Sequence, residues 1–179
     1  RAEKIICANN YTAELARQAW PDIKGKVAVV NPGVDDNFQF SIFNFQLKNK
    51  YNLENKLILL SVGRLVKRKG FDKVIEALPE VLKQLPDLIY VILGNGEELK
   101  NYEFKNKVLI VNNASDEEKN LWYNLCDIFI MTSRNINGDF EGFGLVYLEA
   151  NLAGKPVIAG RSGGIGDAVV DNLNGLLVD

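Results

Sequence analysis

With 179 residues, 47% of them hydrophobic and 25% charged, the chain has the size and composition of one globular domain with a substantial core. Its formal net charge of −2 provides no electrostatic footprint for nucleic acid, so nucleic-acid binding is not expected. The sequence contains no histidine, which excludes Ser-His-Asp and Cys-His nucleophile systems and histidine metal sites within it.

The first residues and the cysteines indicate the cellular compartment in which the protein would act. It begins with Arg1 rather than methionine, shows no signal-peptide pattern, and contains no apolar run near the ~18 residues that span a bilayer. We therefore expect residues 1–179 to be one domain excised from a longer, cytoplasmic protein. Cys7 and Cys126 lie in apolar surroundings and are expected to be reduced.

Short apolar runs bounded by turn residues alternate along the chain with segments of helical period. The apolar runs predict eight strands, at residues 4–8, 26–30, 56–62, 88–93, 107–111, 127–132, 156–159 and 175–178. The helical period predicts five helices, at residues 12–20, 71–84, 116–125, 146–153 and 167–170. Ser115 is the expected N-cap of the third helix, with Glu118 at the capping-box position, and Gly154 ends the fourth.

Several predicted strands, such as residues 57–60 and 89–93, are apolar throughout, which suits a parallel sheet covered on both faces. The alternation of strands and helices therefore predicts an α/β fold: a Rossmann-like, doubly wound parallel sheet that binds ligands at the carboxyl ends of its strands. Residues 36–55 break this rhythm, and we expect them to wrap over the sheet as a connection with some helix. Their aromatic residues are expected to pack on the domain rather than form a ligand platform. These are Phe38, Phe40, Phe43 and Phe45.

A basic loop follows the predicted strand at residues 56–62. Gly63, at the strand end, allows a ligand to approach the backbone closely. Arg64 can clamp a diphosphate with two parallel hydrogen bonds, and Lys69 adds a point charge. A solvated basic loop is the alternative interpretation of this segment.

Residues 141–150 place two carboxylates on either side of a Gly-Phe-Gly turn that opens into a helix. Such a turn lets backbone N–H groups at a helix N-terminus approach a phosphate. Glu141 precedes the helix and Glu149 lies about one and a half turns inside it, so both can face one ligand. Two solvated glutamates on a helix are the alternative.

Three other features carry weaker signals. Gly94 follows a buried strand, where a turn that lines a ligand site would lie. A glycine at this position is also common in ordinary strand-to-helix connections. Asp139 and Glu141 superficially suggest a metal site; because the basic loop can neutralise a diphosphate by itself, no required metal is expected. Residues 162–167 open the last helix with glycines and could reach a sugar or a phosphate, while Asp167 is given no role.

In combination, the glutamate pair, Gly63-Arg64 and Lys69-Gly70 resemble the motifs of family 4 of the retaining, nucleotide-sugar-dependent glycosyltransferases, which have the two-lobed GT-B architecture. The likeness runs over nearly the whole chain. Residues 142–164 look similar to bacterial mannosyltransferases of the phosphatidylinositol type. The resemblance implies that the chain is the C-terminal, donor-binding lobe, and that the N-terminal acceptor lobe of the same polypeptide lies outside it.

The resemblance also implies roles for individual residues. Those implied in catalysis, by stabilising the departing diphosphate or positioning the sugar, are Arg64, Lys69 and Glu141. Those implied in donor binding, through close approach, backbone N–H groups or the ribose hydroxyls, are Gly63, Gly94, Phe143, Gly144, Leu145 and Glu149. Lys67 and Arg68 match no fixed position of the family and are expected at the surface.

The implied donor is a UDP- or GDP-sugar, used without a cofactor, and the implied acceptor is a glycolipid or a polysaccharide. Asn112-Asn113 stand where many relatives have a glycine near the base, which leaves the base open. A peripheral membrane contact would run through the acceptor lobe. Two alternatives remain: an epimerase or phosphorylase of the same architecture, and a non-catalytic nucleotide-sugar-binding module.

Overall fold

The computed structural model describes residues 2–35, 44–96 and 106–179. Its N-terminal part is a small unit in which β1 (Ile5–Cys7) and β2 (Val27–Val29) pair in parallel. Between them lie α1 (Asn10–Ala19) and a 3-10 helix at Pro21–Lys26. The first two predicted strands are therefore present, but they form a sheet of their own.

The centre of the molecule is a six-stranded parallel sheet. Its strands are β3 (Leu57–Val62), β4 (Leu88–Leu93), β5 (Val108–Val111), β6 (Ile128–Met131), β7 (Val157–Gly160) and β8 (Leu176–Val178). They lie in the order β5-β4-β3-β6-β7-β8, and every neighbouring pair is parallel. The predicted doubly wound parallel sheet is confirmed.

Helices cover both faces of this sheet. They are α2 (Asn44–Tyr51), α3 (Phe71–Gln84), α4 (Asp116–Leu125), α5 (Leu145–Leu152) and α6 (Ile165–Ala168). Because successive side chains of a strand point to opposite faces, Leu60 packs in one core with residues of α4 and α5, while its neighbour Leu59 packs in another with α3. Two buried faces explain why the central strands are apolar throughout.

Most predicted helix bounds agree with the structure, but two details are wrong. The last helix was expected at residues 167–170 and is found at Ile165–Ala168, because the buried Val169 is extended, with φ −121° and ψ 114°. Ser115 caps α4 as predicted, with its Oγ accepting a hydrogen bond of 3.1 Å from the N–H of Glu118. The Glu118 carboxylate does not complete a capping box; it lies 3.3 Å from Lys50 Nζ and from Tyr51 Oη.

Residues 36–55, expected as a connection with some helix, contain α2. The predictions for the side chains of Phe38, Phe40, Phe43 and Phe45 lie outside the part of the chain that the structure describes.

Two further predictions concern the membrane and the thiols. Across the described ranges, the helices are too short or too polar to cross a bilayer. Cys7 and Cys126 are free thiols; Cys126 is buried as expected, whereas Cys7 is only partly buried.

Candidate functional site

The candidate site lies at the carboxyl ends of β3 and β6, the neighbouring strands at which the strand order reverses. In an open parallel sheet, the loops diverge at such a point and leave a crevice that binds ligands. Gly63 and Arg64 follow β3, and residues 132–144 connect β6 to α5. The predicted basic loop and the first predicted carboxylate therefore reach the same edge of the sheet.

A single 3-10 turn, Lys67–Lys69, carries the basic loop against the end of β6. The turn ends at Gly70, which has φ +76° and whose carbonyl accepts a hydrogen bond of 2.9 Å from Thr132 Oγ1. A Cβ at Gly70 would overlap the Thr132 carbonyl oxygen, so glycine is required for this contact. The contact sets Lys69 beside Glu141.

The ammonium of Lys69 donates a hydrogen bond of 2.5 Å to Oε2 of Glu141. Both residues are buried, with 9% and 8% of their surface exposed. Lys69 Nζ also lies close to Gly63, since a Cβ added there would be 3.8 Å from it. Two of the three residues predicted for catalysis thus form a buried ion pair at the end of β3.

The same carboxylate oxygen contacts a second cation. Arg68 donates from Nη1 to Oε2 of Glu141 at 3.0 Å, and its Nε lies 3.0 Å from Oδ1 of Asp139. The Arg68 side chain is only 13% exposed, whereas Lys67 is exposed. The expected surface position is therefore right for Lys67 and wrong for Arg68, because acidic partners distant in the sequence draw Arg68 inward.

A cleft of about 270 Å³ opens at the ends of β3, β4 and β5. It is lined by Val62, Gly63, Arg64, Leu93, Gly94, Asn95, Asn113, Ala114 and Lys119. Arg64 is exposed, and within the described ranges its guanidinium forms no ion pair. Three predicted site residues, Gly63, Arg64 and Gly94, therefore line one cleft, in which the Arg64 guanidinium can bind an anion.

Glu149 lies deeper along α5, next to this cleft. Its Oε2 accepts a hydrogen bond of 2.6 Å from Tyr123 Oη, and its Oε1 lies 3.7 Å from Nζ of Lys119. Burial and the charge of Glu149 raise the pKa of Tyr123 well above its usual value, which keeps the hydroxyl a donor. Tyr123 and Lys119 are residues that the sequence did not single out, because nothing in α4 indicates which of its side chains face α5.

The turn into α5 contains the residues predicted to bind a phosphate through their backbone. Gly144 has φ +85°, and a Cβ on it would collide with the ring of Tyr147. In the part of the chain that the structure describes, the N–H groups of Phe143, Gly144 and Leu145 have no hydrogen-bond partner. The Phe143 side chain is buried in the core, so Phe143 can contribute to a binding site only through its backbone.

The glycine-rich loop before α6 supports Glu141 from behind. The N–H of Gly164 donates to the Glu141 carbonyl at 2.9 Å, and the N–H of Glu141 lies 3.5 Å from Ser162 Oγ. A Cβ on Gly163 would overlap the same Glu141 carbonyl. These contacts fix the backbone from which the Glu141 carboxylate extends.

Asp167, to which no role was given, joins α6 to the N-terminal unit. Its Oδ2 accepts hydrogen bonds from the backbone and side chain of Asn10, at 2.7 and 2.9 Å, and from the Asn31 side chain at 3.1 Å. Burial raises the pKa of Asp167, but these hydrogen bonds outweigh it and hold the pKa below its usual value. Nearby, the Asn9 side chain donates to the Gly142 carbonyl, which ties the same unit to the Glu141 segment.

Within the described ranges, no group of three or more His, Cys, Asp or Glu residues could hold a metal ion. The acidic pair that suggested such a site, Asp139 and Glu141, is paired with Arg68 instead. The arrangement can bind an anion through Arg64, Lys69 and the backbone N–H groups at the start of α5, which have no partner among the described residues.

Known proteins share this arrangement of elements. The model of the glycosyl transferases group 1 family matches residues 43–179. Over 143 residues the chain is 35% identical to a GDP-mannose-dependent alpha-(1-6)-phosphatidylinositol monomannoside mannosyltransferase of Mycolicibacterium smegmatis; this covers 75% of the chain and 37% of that relative. The chain thus spans less than half the length of this relative.

Solved structures resemble the fold over its whole length. The crystal structure of a glycosyltransferase from Rickettsia africae superposes with a TM-score of 0.84 at 25% identity, covering 99% of this chain and 49% of that one. Anabaena HepE, in a complex with UDP and glucose, gives a TM-score of 0.83 at 23% identity over 99% of this chain and 49% of its own. The expected Rossmann-like fold is confirmed.

Proposed function

This chain belongs to the glycosyl transferases group 1 family, and we propose that it is the donor-binding lobe of a two-lobed enzyme. The enzyme transfers a hexose from a nucleoside diphosphate sugar to a glycolipid or polysaccharide acceptor, with retention of the anomeric configuration, as in family 4. The acceptor lobe belongs to the same polypeptide. The half-length match to relatives supports this division.

The observation that carries the proposal is the buried Lys69–Glu141 pair at the end of β3, next to a cleft lined by Arg64, which forms no ion pair with any described residue. A nucleoside diphosphate sugar presents a diphosphate between a nucleoside and a hexose. The cations match the diphosphate, and the two glutamates flank it, one at each side of the turn into α5. A site for a lone phosphate would need neither glutamate.

Each residue then has a role that its position supports. Arg64 and Lys69 stabilise the charge that develops on the departing diphosphate, which is electrostatic catalysis directed at the leaving group. The N–H groups of Phe143, Gly144 and Leu145, without partners in the described part of the chain, add donors at the N-terminus of α5.

The two glutamates act on the hydroxyl groups of the donor. Glu149, beside the cleft, accepts hydrogen bonds from the ribose, and Glu141 orients the hexose. Because the cations neutralise the diphosphate, the proposal requires neither a metal nor a cofactor.

The donor is a UDP-sugar or a GDP-sugar. A GDP-mannose-dependent relative and a structural neighbour that holds UDP support the two choices equally. Asn113 lines the cleft and accepts a hydrogen bond of 2.9 Å from Asn95, which supports the proposal that this amide pair contacts the base.

Calorimetric titration of the intact protein with UDP, GDP, UDP-glucose and GDP-mannose tests the proposal. We expect one nucleotide class to bind, and its sugar conjugate to be consumed when acceptor is present, with the product retaining the anomeric configuration in its proton NMR spectrum. Absence of binding by all four compounds would refute the donor site. Binding without transfer would indicate a non-catalytic module, and an altered sugar on the nucleotide would indicate an epimerase.

A further inference from the structure

We infer that Arg68 is a positioning residue of this site: it retains the Glu141 carboxylate when a donor diphosphate takes Lys69 away. The inference rests on the proposed function, because it assumes that Lys69 binds a diphosphate. It concerns a residue that matches no fixed position of the family motif.

The starting point is that one oxygen, Oε2 of Glu141, is shared by two cations. Lys69 Nζ lies 2.5 Å from it and Arg68 Nη1 lies 3.0 Å from it. Only 11% of the Glu141 side chain is exposed, so water can replace very little of this pairing. Without a ligand, Glu141 therefore occupies the position on Lys69 that an external anion would take.

A diphosphate that binds Lys69 competes with this internal carboxylate for the ammonium. Burying a carboxylate without a cation is costly, since desolvation is then uncompensated. Arg68 removes that cost because it already holds the same oxygen and does not have to move. Loss of Lys69 to the ligand leaves Glu141 paired with Arg68.

Arg68 is itself held in place from its other side. Its Nε lies 3.0 Å from Oδ1 of Asp139, whose side chain is 71% exposed. The peptide of Arg68 is also fixed, because its carbonyl accepts a hydrogen bond of 2.8 Å from the N–H of Arg134. The guanidinium is thus directed to Glu141 rather than into the cleft lined by Arg64.

If Arg68 acts through Glu141, the effects of substituting these two residues on nucleotide binding should be coupled. If Arg68 binds the diphosphate directly, the two effects should be independent. Removing Arg68 should weaken nucleotide binding only while Glu141 carries a charge. Removing the charge of Glu141 should free Lys69 and strengthen the binding of a nucleotide without a sugar. The two substitutions should therefore be strongly non-additive.

A double-mutant cycle on the intact protein, read by calorimetric titration with UDP and GDP, tests this coupling. We expect Arg68→Gln to weaken binding about tenfold, and Glu141→Gln to tighten it about threefold. In the Glu141→Gln background, Arg68→Gln should change the affinity less than about twofold. Arg68→Lys keeps a cation but cannot contact Asp139 and Glu141 through two separate nitrogens. It should therefore restore part of the affinity that Arg68→Gln loses.

The matched control is Lys67→Gln, which removes the same charge from the same turn at an exposed position and should leave the affinity within about twofold. If Arg68→Gln weakens binding equally in both backgrounds, Arg68 acts on the ligand itself and the inference is overturned, while the proposed function stands. If wild-type protein binds neither nucleotide, both fall. Thermal unfolding of each variant identifies one that fails to fold, in which case Arg68→Lys carries the cycle.

Discussion

Tyr123 donates a hydrogen bond of 2.6 Å to Oε2 of Glu149, and this bond joins α4 to α5 beside the cleft. Because burial and the charge of Glu149 raise the pKa of Tyr123, the hydroxyl remains protonated at neutral pH. Its proton is therefore always available to the carboxylate. The bond leaves Oε1 of Glu149 with Lys119 as a more distant partner, at 3.7 Å.

Tyr123→Phe should consequently lower both stability and nucleotide affinity. A hydrogen bond to a charged group contributes about 1.5–3 kcal/mol, and we expect the lower end because the Glu149 side chain is only partly buried. The freed carboxylate should also lose its orientation, which should weaken UDP or GDP binding about threefold. Urea unfolding and calorimetric titration measure the two effects. Tyr51→Phe is the matched control, because the Tyr51 hydroxyl contacts Glu118 at 3.3 Å, on the α2 side of α4. Equal losses of affinity in both variants would contradict the role given to Tyr123.

Arg64→Ala should reduce catalysis without reducing stability. Arg64 has no ion pair within the described ranges, so the fold loses no contact of that kind. Removing one preorganised charge at a leaving group costs about 2–4 kcal/mol of transition-state stabilisation, measured as the loss of kcat/KM in the intact enzyme. Lys67→Ala, at another exposed cation of the basic loop, should keep nearly full activity. A wild-type kcat/KM for Arg64→Ala would remove Arg64 from the mechanism.

The elements of this fold follow closely from local patterns. The predicted bounds of α3 and α4 match the structure because each helix has a strong apolar period and a clear start. The central strands were visible as continuous apolar runs. The separate pairing of β1 with β2, and the short α6, depend on contacts between distant segments, which periodicity does not report.

The residues of the candidate site could likewise be predicted only where a local sequence pattern indicates them. Arg64 and Lys69 could be named because they lie between a strand end and a helix start, and Glu149 because of its spacing from Glu141. The side chains that pair with the site residues could not be named from the sequence. Arg68 meets Glu141 across 73 positions and Tyr123 meets Glu149 across 26, so these pairings exist only in the folded chain.

Gly94→Ala should destabilise the junction between β3 and β4. A Cβ on Gly94 would overlap the carbonyl oxygen of Gly63, which directly follows the neighbouring strand β3. Since the obstacle is backbone and cannot rotate away, we expect a loss of about 1–3 kcal/mol in the free energy of unfolding. Urea unfolding measures it, with Gly25→Ala as the control, because no atom lies within 4 Å of a Cβ added there. Equal stability of the two variants would show that the strand ends can separate freely.

Asp167 should make part of the stability dependent on pH. Its pKa is held below the usual value by hydrogen bonds from Asn10 and Asn31, so the unfolded chain binds the proton more readily than the folded one. The contribution of Asp167 is therefore complete above about pH 4, the pKa of an unperturbed aspartate, and disappears as the pH falls through the lower folded value.

Asp167→Asn should accordingly unfold more easily than the wild type at pH 7, by about 1 kcal/mol because solvent partly screens the site. The difference should shrink as the pH is lowered from about 4, where the wild-type carboxylate also becomes neutral. Urea unfolding at a series of pH values measures both trends. Asp35→Asn, at an exposed aspartate, supplies the control and should follow the wild-type curve. A difference that stays constant in acid would mean that the Asp167 charge does not join α6 to the N-terminal unit.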